Sequence, residues 1–181
     1  MKNKLLIIVV SFVVIITMFS GIYAYFTFET TTRGVITSDS LKLEVHQESL
    51  LGEELDNNDF KVMPGDIVDR IVTVENVGNQ PLYLRVKIVT TVDDEDLSAT
   101  DCLRVNINSN YWIYEDGYYY YYKTLDSGIE TEALFTEVYI DGENVDNKYL
   151  GKSFKLDVVA QATQRKNNSD NVLEAFGWPQ D

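Results

Sequence analysis

The stretch "LYLRVKIV" (Leu82 to Val89) places Leu82, Leu84, Val86 and Ile88 on one side of an extended chain and Tyr83, Arg85 and Lys87 on the other. A period of two marks a strand with one buried face; at 3.6 residues per turn the same residues would scatter around a helix. The pattern recurs. "LFTEVYID" (Leu134 to Asp141) alternates Leu134, Thr136, Val138 and Ile140, and "FKLDVVAQAT" (Phe154 to Thr163) alternates Phe154, Leu156, Val158, Ala160 and Ala162. With "LKLEVHQ" (Leu41 to Gln47), "DIVDRIVTVEN" (Asp66 to Asn76) and "CLRVNI" (Cys102 to Ile107), the chain offers at least six strands. Turn signals stand between them at Pro64-Gly65, Gly78-Asn79, Asp116-Gly117, Ser127-Gly128 and Asp141-Gly142. The series predicts an all-β domain over residues 41–181, an antiparallel β-sandwich. One short helix is expected near its end, where Asn171 and Glu174 have capping-box spacing before "VLEAF" and the stop at Gly177-Trp178-Pro179.

Two turns invite sharper expectations. In "PGD", Gly65 follows Pro64 as in a type II turn and should take a positive φ. In "YEDGYYYYYK" (Tyr114 to Lys123), Asp116-Gly117 is a hairpin signal, so Tyr111 to Glu115 and Tyr118 to Lys123 should pair. Alternation then puts Tyr118, Tyr120 and Tyr122 on one face and Tyr119 and Tyr121 on the other. One set is expected to be core and the other exposed. The exposed row is a candidate assembly surface, because tyrosine is enriched at interfaces.

The first residues follow a different rule. Lys2 and Lys4 precede Leu5 to Phe19, an apolar run broken only by Ser11 and Thr17, which is the order of an export signal. Residues 1–24 are read as a signal peptide cleaved between Ala24 and Tyr25, although the A-x-A pattern is absent. The alternative is a retained anchor, since Leu5 to Phe26 carries no charge and about 20 apolar residues span a bilayer. Residues 25–40 are then a flexible N-terminal segment or a donor strand.

The chain's formal net charge of −14 disfavours nucleic acid and anionic lipid, which leaves the N-terminal segment as the only expected membrane contact. The single cysteine, Cys102, excludes an internal disulfide; it is expected to be buried, the alternative being a bond between chains.

Chemistry-bearing patterns are few. His46 is the only histidine, so neither a histidine-based triad nor an H-E-x-x-H zinc site can be built. His46 itself reads as a surface imidazole at a strand end. Asp93 to Asp96 lack the spacing of a calcium loop and read as a solvated acidic turn. "NNS" (Asn167 to Ser169) matches a glycosylation sequon that is common by chance, and no phosphate loop or dinucleotide fingerprint appears. No catalytic residue, metal ligand or cofactor is expected, and the chain is read as a non-enzyme.

Several blocks together resemble one family. "GIYAYF" followed by "FETTTRGVITSDSLKLEV" resembles the leader region of bacterial proteins exported through the alternate, SipW-type signal peptidase. "VMPGDIVDRIVTVENVGNQPLYLRVKI" (Val62 to Ile88) is similar to that family's "PGD…V-x-N-x-G-N…Y-x-R-V" block. "EDGYYYYYKTLDSG" and "AQATQ…AFGW" look like its later blocks. The resemblance is to TasA/camelysin-like proteins. It implies a jelly-roll-like sandwich, a Gram-positive origin, secretion to the cell surface or biofilm matrix, and a SipW-type peptidase as partner during export.

Camelysin is classed as a metallopeptidase, and a single histidine departs from that reading. The ending has no LPxTG-type signal, so sortase attachment is not expected. The resulting expectation is a secreted structural or adhesive extracellular-matrix protein that associates with itself or with related matrix subunits by β-strand addition. Tyr25 to Ile36 would pair with a neighbour's sheet edge, anchored by Tyr25, Phe26 and Phe28. The alternatives are a camelysin-like surface metallopeptidase and a monomeric membrane-anchored surface protein.

Overall fold

The computed structural model describes residues 27–31, 41–55, 59–60, 63–94, 97–99, 101–149 and 151–179. The leader, the Ala24/Tyr25 junction and Phe26 lie outside these residues, as does most of the 25–40 segment. Among the described residues no helix is long and apolar enough to cross a membrane.

Among the described residues ten strands follow one another: β1 (Thr27–Thr31), β2 (Leu43–Glu48), β3 (Asp59–Phe60), β4 (Ile67–Asn76), β5 (Leu82–Val92), β6 (Leu103–Val105), β7 (Trp112–Glu115), β8 (Tyr118–Tyr121), β9 (Phe135–Ile140) and β10 (Phe154–Gln164). They form two antiparallel sheets packed as a sandwich. The first is built on four strands in the order β10-β5-β8-β7, with β1 and β3 added along the outer edge of β10. The second is four-stranded, in the order β2-β4-β9-β6.

The longest pairing sets β5 against β10 from Leu82↔Gln164 to Val92↔Phe154. It joins the two most regularly alternating segments. Leu82, Leu84 and Val86 of β5 are buried against the opposite sheet together with Leu156, Val158, Ala160 and Ala162 of β10. Val72, Val74, Val138 and Ile140 meet them from the second sheet. Burial of this apolar surface is the main driving force, at about 25 cal/mol per Å². In the second sheet the alternation is interrupted between β4 and β9. The β4/β9 register shifts between Asp69 and Val72, and Leu134 and Phe135, consecutive in sequence, are both fully buried. A β-bulge changes the phase of a strand and permits this.

Both turn expectations hold. Gly65 has φ +87°, and the Asp66 N–H donates to the Met63 carbonyl at 3.0 Å, closing the turn over Pro64-Gly65. Asp116 (φ 49°) and Gly117 (φ 85°) join β7 to β8 with the two positive φ values of a type I′ hairpin. Cys102 is buried, its thiol 3.4 Å from the Ser98 carbonyl.

The expected C-terminal helix does not form. Val172–Glu174 is a single 3-10 turn, and the chain is extended again at Ala175. The cap itself is present, for the Asn171 side chain accepts from the Leu173 N–H at 3.1 Å. A three-residue turn does not offset the cost of helix nucleation, and the residue before Pro179 disfavours helical backbone. The tail instead lies along the sheet, held by Thr163 Oγ1 and Asn168 Nδ2, which donate to the Phe176 carbonyl at 2.9 and 3.0 Å.

Candidate functional site

The tyrosine hairpin sets Trp112 opposite Tyr121, Ile113 opposite Tyr120, Tyr114 opposite Tyr119 and Glu115 opposite Tyr118. Tyr119 and Tyr121 face the inter-sheet core. Tyr121 packs on Trp112 with ring centroids 5.1 Å apart, and its hydroxyl donates to the Glu132 carboxylate. Lys123 Nζ reaches the other oxygen of Glu132 at 3.0 Å. Burial would raise the Glu132 pKa, but the hydrogen bonds from Tyr121 and Lys123 outweigh it and hold the carboxyl below its ordinary range. Burial, reinforced by the Glu132 carboxylate, pushes the Tyr121 phenol well above its ordinary value. Burial likewise raises Tyr119.

The expectation that one tyrosine set stays exposed is overturned. Tyr118 and Tyr120 point away from the inter-sheet core, yet each is only 7% exposed. They form a second apolar cluster with Tyr83 and Val172, against which Ala175 and Trp178 of the tail pack. Arg85 threads this layer. Its guanidinium carbon lies 3.8 Å above the Tyr118 ring and 4.8 Å from Trp178, and Nη2 donates to the Pro179 carbonyl at 3.1 Å. The tail therefore covers the second aromatic face. Of the five tyrosines only Tyr122 is exposed, at 45%. The covering residues Val172, Ala175 and Trp178 recur at every third position, but so short a stretch does not say which surface they meet.

Of the proposed N-terminal anchors, Tyr25 and Phe26 lie outside the described residues. Phe28 belongs to β1, where it registers with Ala162. The strand expected to reach a neighbour is thus paired with β10 of its own chain, from Thr27↔Thr163 to Thr31↔Val159.

At the far side, β8 pairs with β5 only at Arg85 and Val86, and the rest of β5 runs on past it. A cavity of about 380 Å³ opens there, lined by Ile88 and Thr90 of β5, Leu103 and Val105 of β6, and Tyr114 and Tyr119 of the hairpin. The strand β6 ends the second sheet and β7 ends the first. These are backbone edges of the kind a further strand can extend.

Two polar groupings were not anticipated. Arg70 is buried between the sheets and donates through Nε to Gln47 Oε1 at 2.5 Å. Desolvation lowers its pKa to about 10, against the pull of Asp157. On the outer face of the second sheet, His46 Nε2 lies 3.2 Å from Glu75 Oε2, and Glu44 joins them with one ligand atom from each residue within 4.8 Å of the others. His46 is half-buried in mid-strand rather than on the surface at a strand end. In the acidic turn, Asp94 pairs with Lys152 at 2.6 Å; Glu95 and Asp96 lie outside the described residues.

Comparison with protein-family models, curated proteins and solved structures returns no match. What the geometry defines is a β-sandwich with one sheet covered on both faces, an N-terminal strand seated on an outer edge, and a histidine-carboxylate group on the opposite sheet.

Proposed function

We propose that the chain is a secreted, non-catalytic structural or adhesive protein of the cell surface or extracellular matrix, with jelly-roll-like connectivity, whose subunits join by β-strand addition. The reading includes export through a SipW-type signal peptidase, as the resemblance to TasA/camelysin-like proteins implies. The observation that carries it is the placement of β1. This strand is outermost on β10 and holds it through registered backbone pairing over five residues. An identical strand from a second copy could make the same pairs, because ladder hydrogen bonds do not distinguish the chain that supplies them. Residues 32–40 separate β1 from the described part of the domain, and nine residues reach at most about 30 Å when extended. That is enough to place β1 on an adjacent subunit.

The test compares sedimentation of the chain beginning at Tyr25 with that of the chain beginning at Thr32, at equal concentration. Concentration-dependent assembly of the first and its loss in the second is expected. Equal assembly of both, or a monomer in both, overturns the reading. Intact-mass analysis of the exported protein locates the mature N-terminus, expected at Tyr25; a mass that retains Met1 to Ala24 favours the anchored alternative.

A further inference from the structure

We infer that Glu44, His46 and Glu75 form a binding site for one divalent transition-metal ion, of the zinc class, that clips β2 to β4 on the outer face of the second sheet. Glu44 and Glu75 are direct register partners across the two antiparallel strands, and His46 stands opposite Thr73. Like charges directly opposed across a ladder are destabilising, yet here the opposition is extended. Glu75 is bridged on its other side to Glu130, whose carboxylate accepts from Thr73 Oγ1. The chain's only histidine sits within this row, half-buried.

Simple acidic surface does not account for the group, because the donor set is mixed. A ring nitrogen and two carboxylates can converge, with one ligand atom from each residue within 4.8 Å of the others. Ligands at about 2.0 Å in a tetrahedral shell lie about 3.3 Å from one another, and the His46 Nε2 to Glu75 Oε2 separation is 3.2 Å. Two strand positions two residues apart, 44 and 46, which share a face, and one from the neighbouring strand hold the donors on paired backbone, so little ordering remains for an ion to impose. The chemistry selects the ion. Calcium takes six to eight oxygens and magnesium prefers water and carboxylate, whereas imidazole with carboxylate suits zinc and its neighbours. Three protein ligands leave at least one position for water. The role inferred is structural, an ion that relieves carboxylate repulsion while it ties two strands together.

The test uses the full chain stripped with chelator and titrated with ZnCl₂, with MgCl₂ and CaCl₂ as comparisons, read by calorimetry and thermal unfolding. Zinc should bind at about one ion per chain and raise Tm, and the magnesium and calcium shifts at the same concentration should be smaller. Co²⁺ should give visible d–d absorption that zinc displaces. His46→Gln and the exposed-site variant Glu44→Gln should each weaken zinc binding at least about tenfold, while Glu115→Gln on the distant hairpin should not. Two variants guard against a folding artefact at either position. Zinc binding no tighter than magnesium, or unchanged zinc affinity in both His46→Gln and Glu44→Gln, would overturn the site and leave only diffuse attraction to an acidic surface.

Discussion

The two sheets of this sandwich bury the same kind of inner face and treat their outer faces in opposite ways. On the second sheet the outer face of β4 carries Asp69, Thr73 and Glu75, and β2 adds Glu44 and His46. Water or an ion can solvate these groups. On the first sheet the outer face carries Tyr83, Arg85, Tyr118 and Tyr120, and the tail from Val172 to Pro179 lies over it. A strand with one buried face must alternate, whereas a strand covered on both faces is free to be apolar throughout. That is why the chain can contain five consecutive tyrosines. The difference shows that the uninterrupted aromatic run specifies a three-layer region, with the tail as the third layer.

The inner face should cost most to disturb. Tyr121 is buried against Trp112 and its hydroxyl is satisfied by Glu132. Tyr121→Ala should lower stability by about 3 to 5 kcal/mol, the range of large aromatic truncations, measured by urea unfolding. A loss below about 1 kcal/mol would mean that the inner face tolerates a cavity and that the two faces are not ranked as argued.

The tail should cost less, because it is held at one side only. Trp178→Ala removes the ring that packs on Tyr120 at 5.6 Å and on Arg85, for an expected loss of about 1 to 3 kcal/mol. The chain has two tryptophans, so this variant leaves Trp112 as the sole emitter. Its emission should stay that of a buried indole while chymotryptic cleavage near Phe176 accelerates. Loss of the buried Trp112 signal would show that the outer layer and the core form a single cooperative unit.

How far these features could be read from the sequence depends on where their causes lie. The strands were legible because alternation is local: Leu82 to Val89 and Phe154 to Thr163 state their inner faces without reference to any other segment. The turns at Pro64-Gly65 and Asp116-Gly117 were legible because positive φ favours few residue types. The tail's cover was not, since Tyr118 and Tyr120 are buried by residues more than fifty positions later, and a local pattern does not name so distant a partner. The grouping of Glu44 and His46 with Glu75 depends on the β2/β4 register, a non-local fact. Pairing of β1 with β10 joins the two ends of the described chain, and nothing in "TFETT" names its partner.

A smaller effect is expected at the turn entering the second sheet. A Cβ built on Gly65 would meet nothing within 4 Å, so substitution there tests backbone conformation alone. Gly65→Val should cost about 1 to 2 kcal/mol from the left-handed φ, and Gly65→Asn should recover much of it because asparagine tolerates that region. Equal melting temperatures for the two variants would show that the turn relaxes to another type.

The smallest effect is set by pH and returns to the inner end of the hairpin. The folded-state pKa of Glu132 is lowered, on balance, by the hydrogen bonds from Tyr121 and Lys123. A depressed carboxyl stabilises the fold at pH values above its unfolded pKa of about 4.3 and loses that contribution as pH falls through the folded pKa. Tyr121 is shifted the other way. Its raised pKa contributes below the unfolded value of about 10, and the contribution fades as pH rises beyond it. The pair therefore stabilises the fold across the interval between about pH 4.3 and 10 and weakens at both ends. Glu132→Gln should be less stable than the parent at pH 7, by a margin kept small by solvent screening at a partly exposed carboxylate. That margin should narrow on acidification below about pH 4 as the parent loses its charge. A gap between parent and variant that stays constant from pH 7 to pH 3 would mean that Glu132 acts through packing, and the two faces of the hairpin would then differ in cover alone and not in electrostatics.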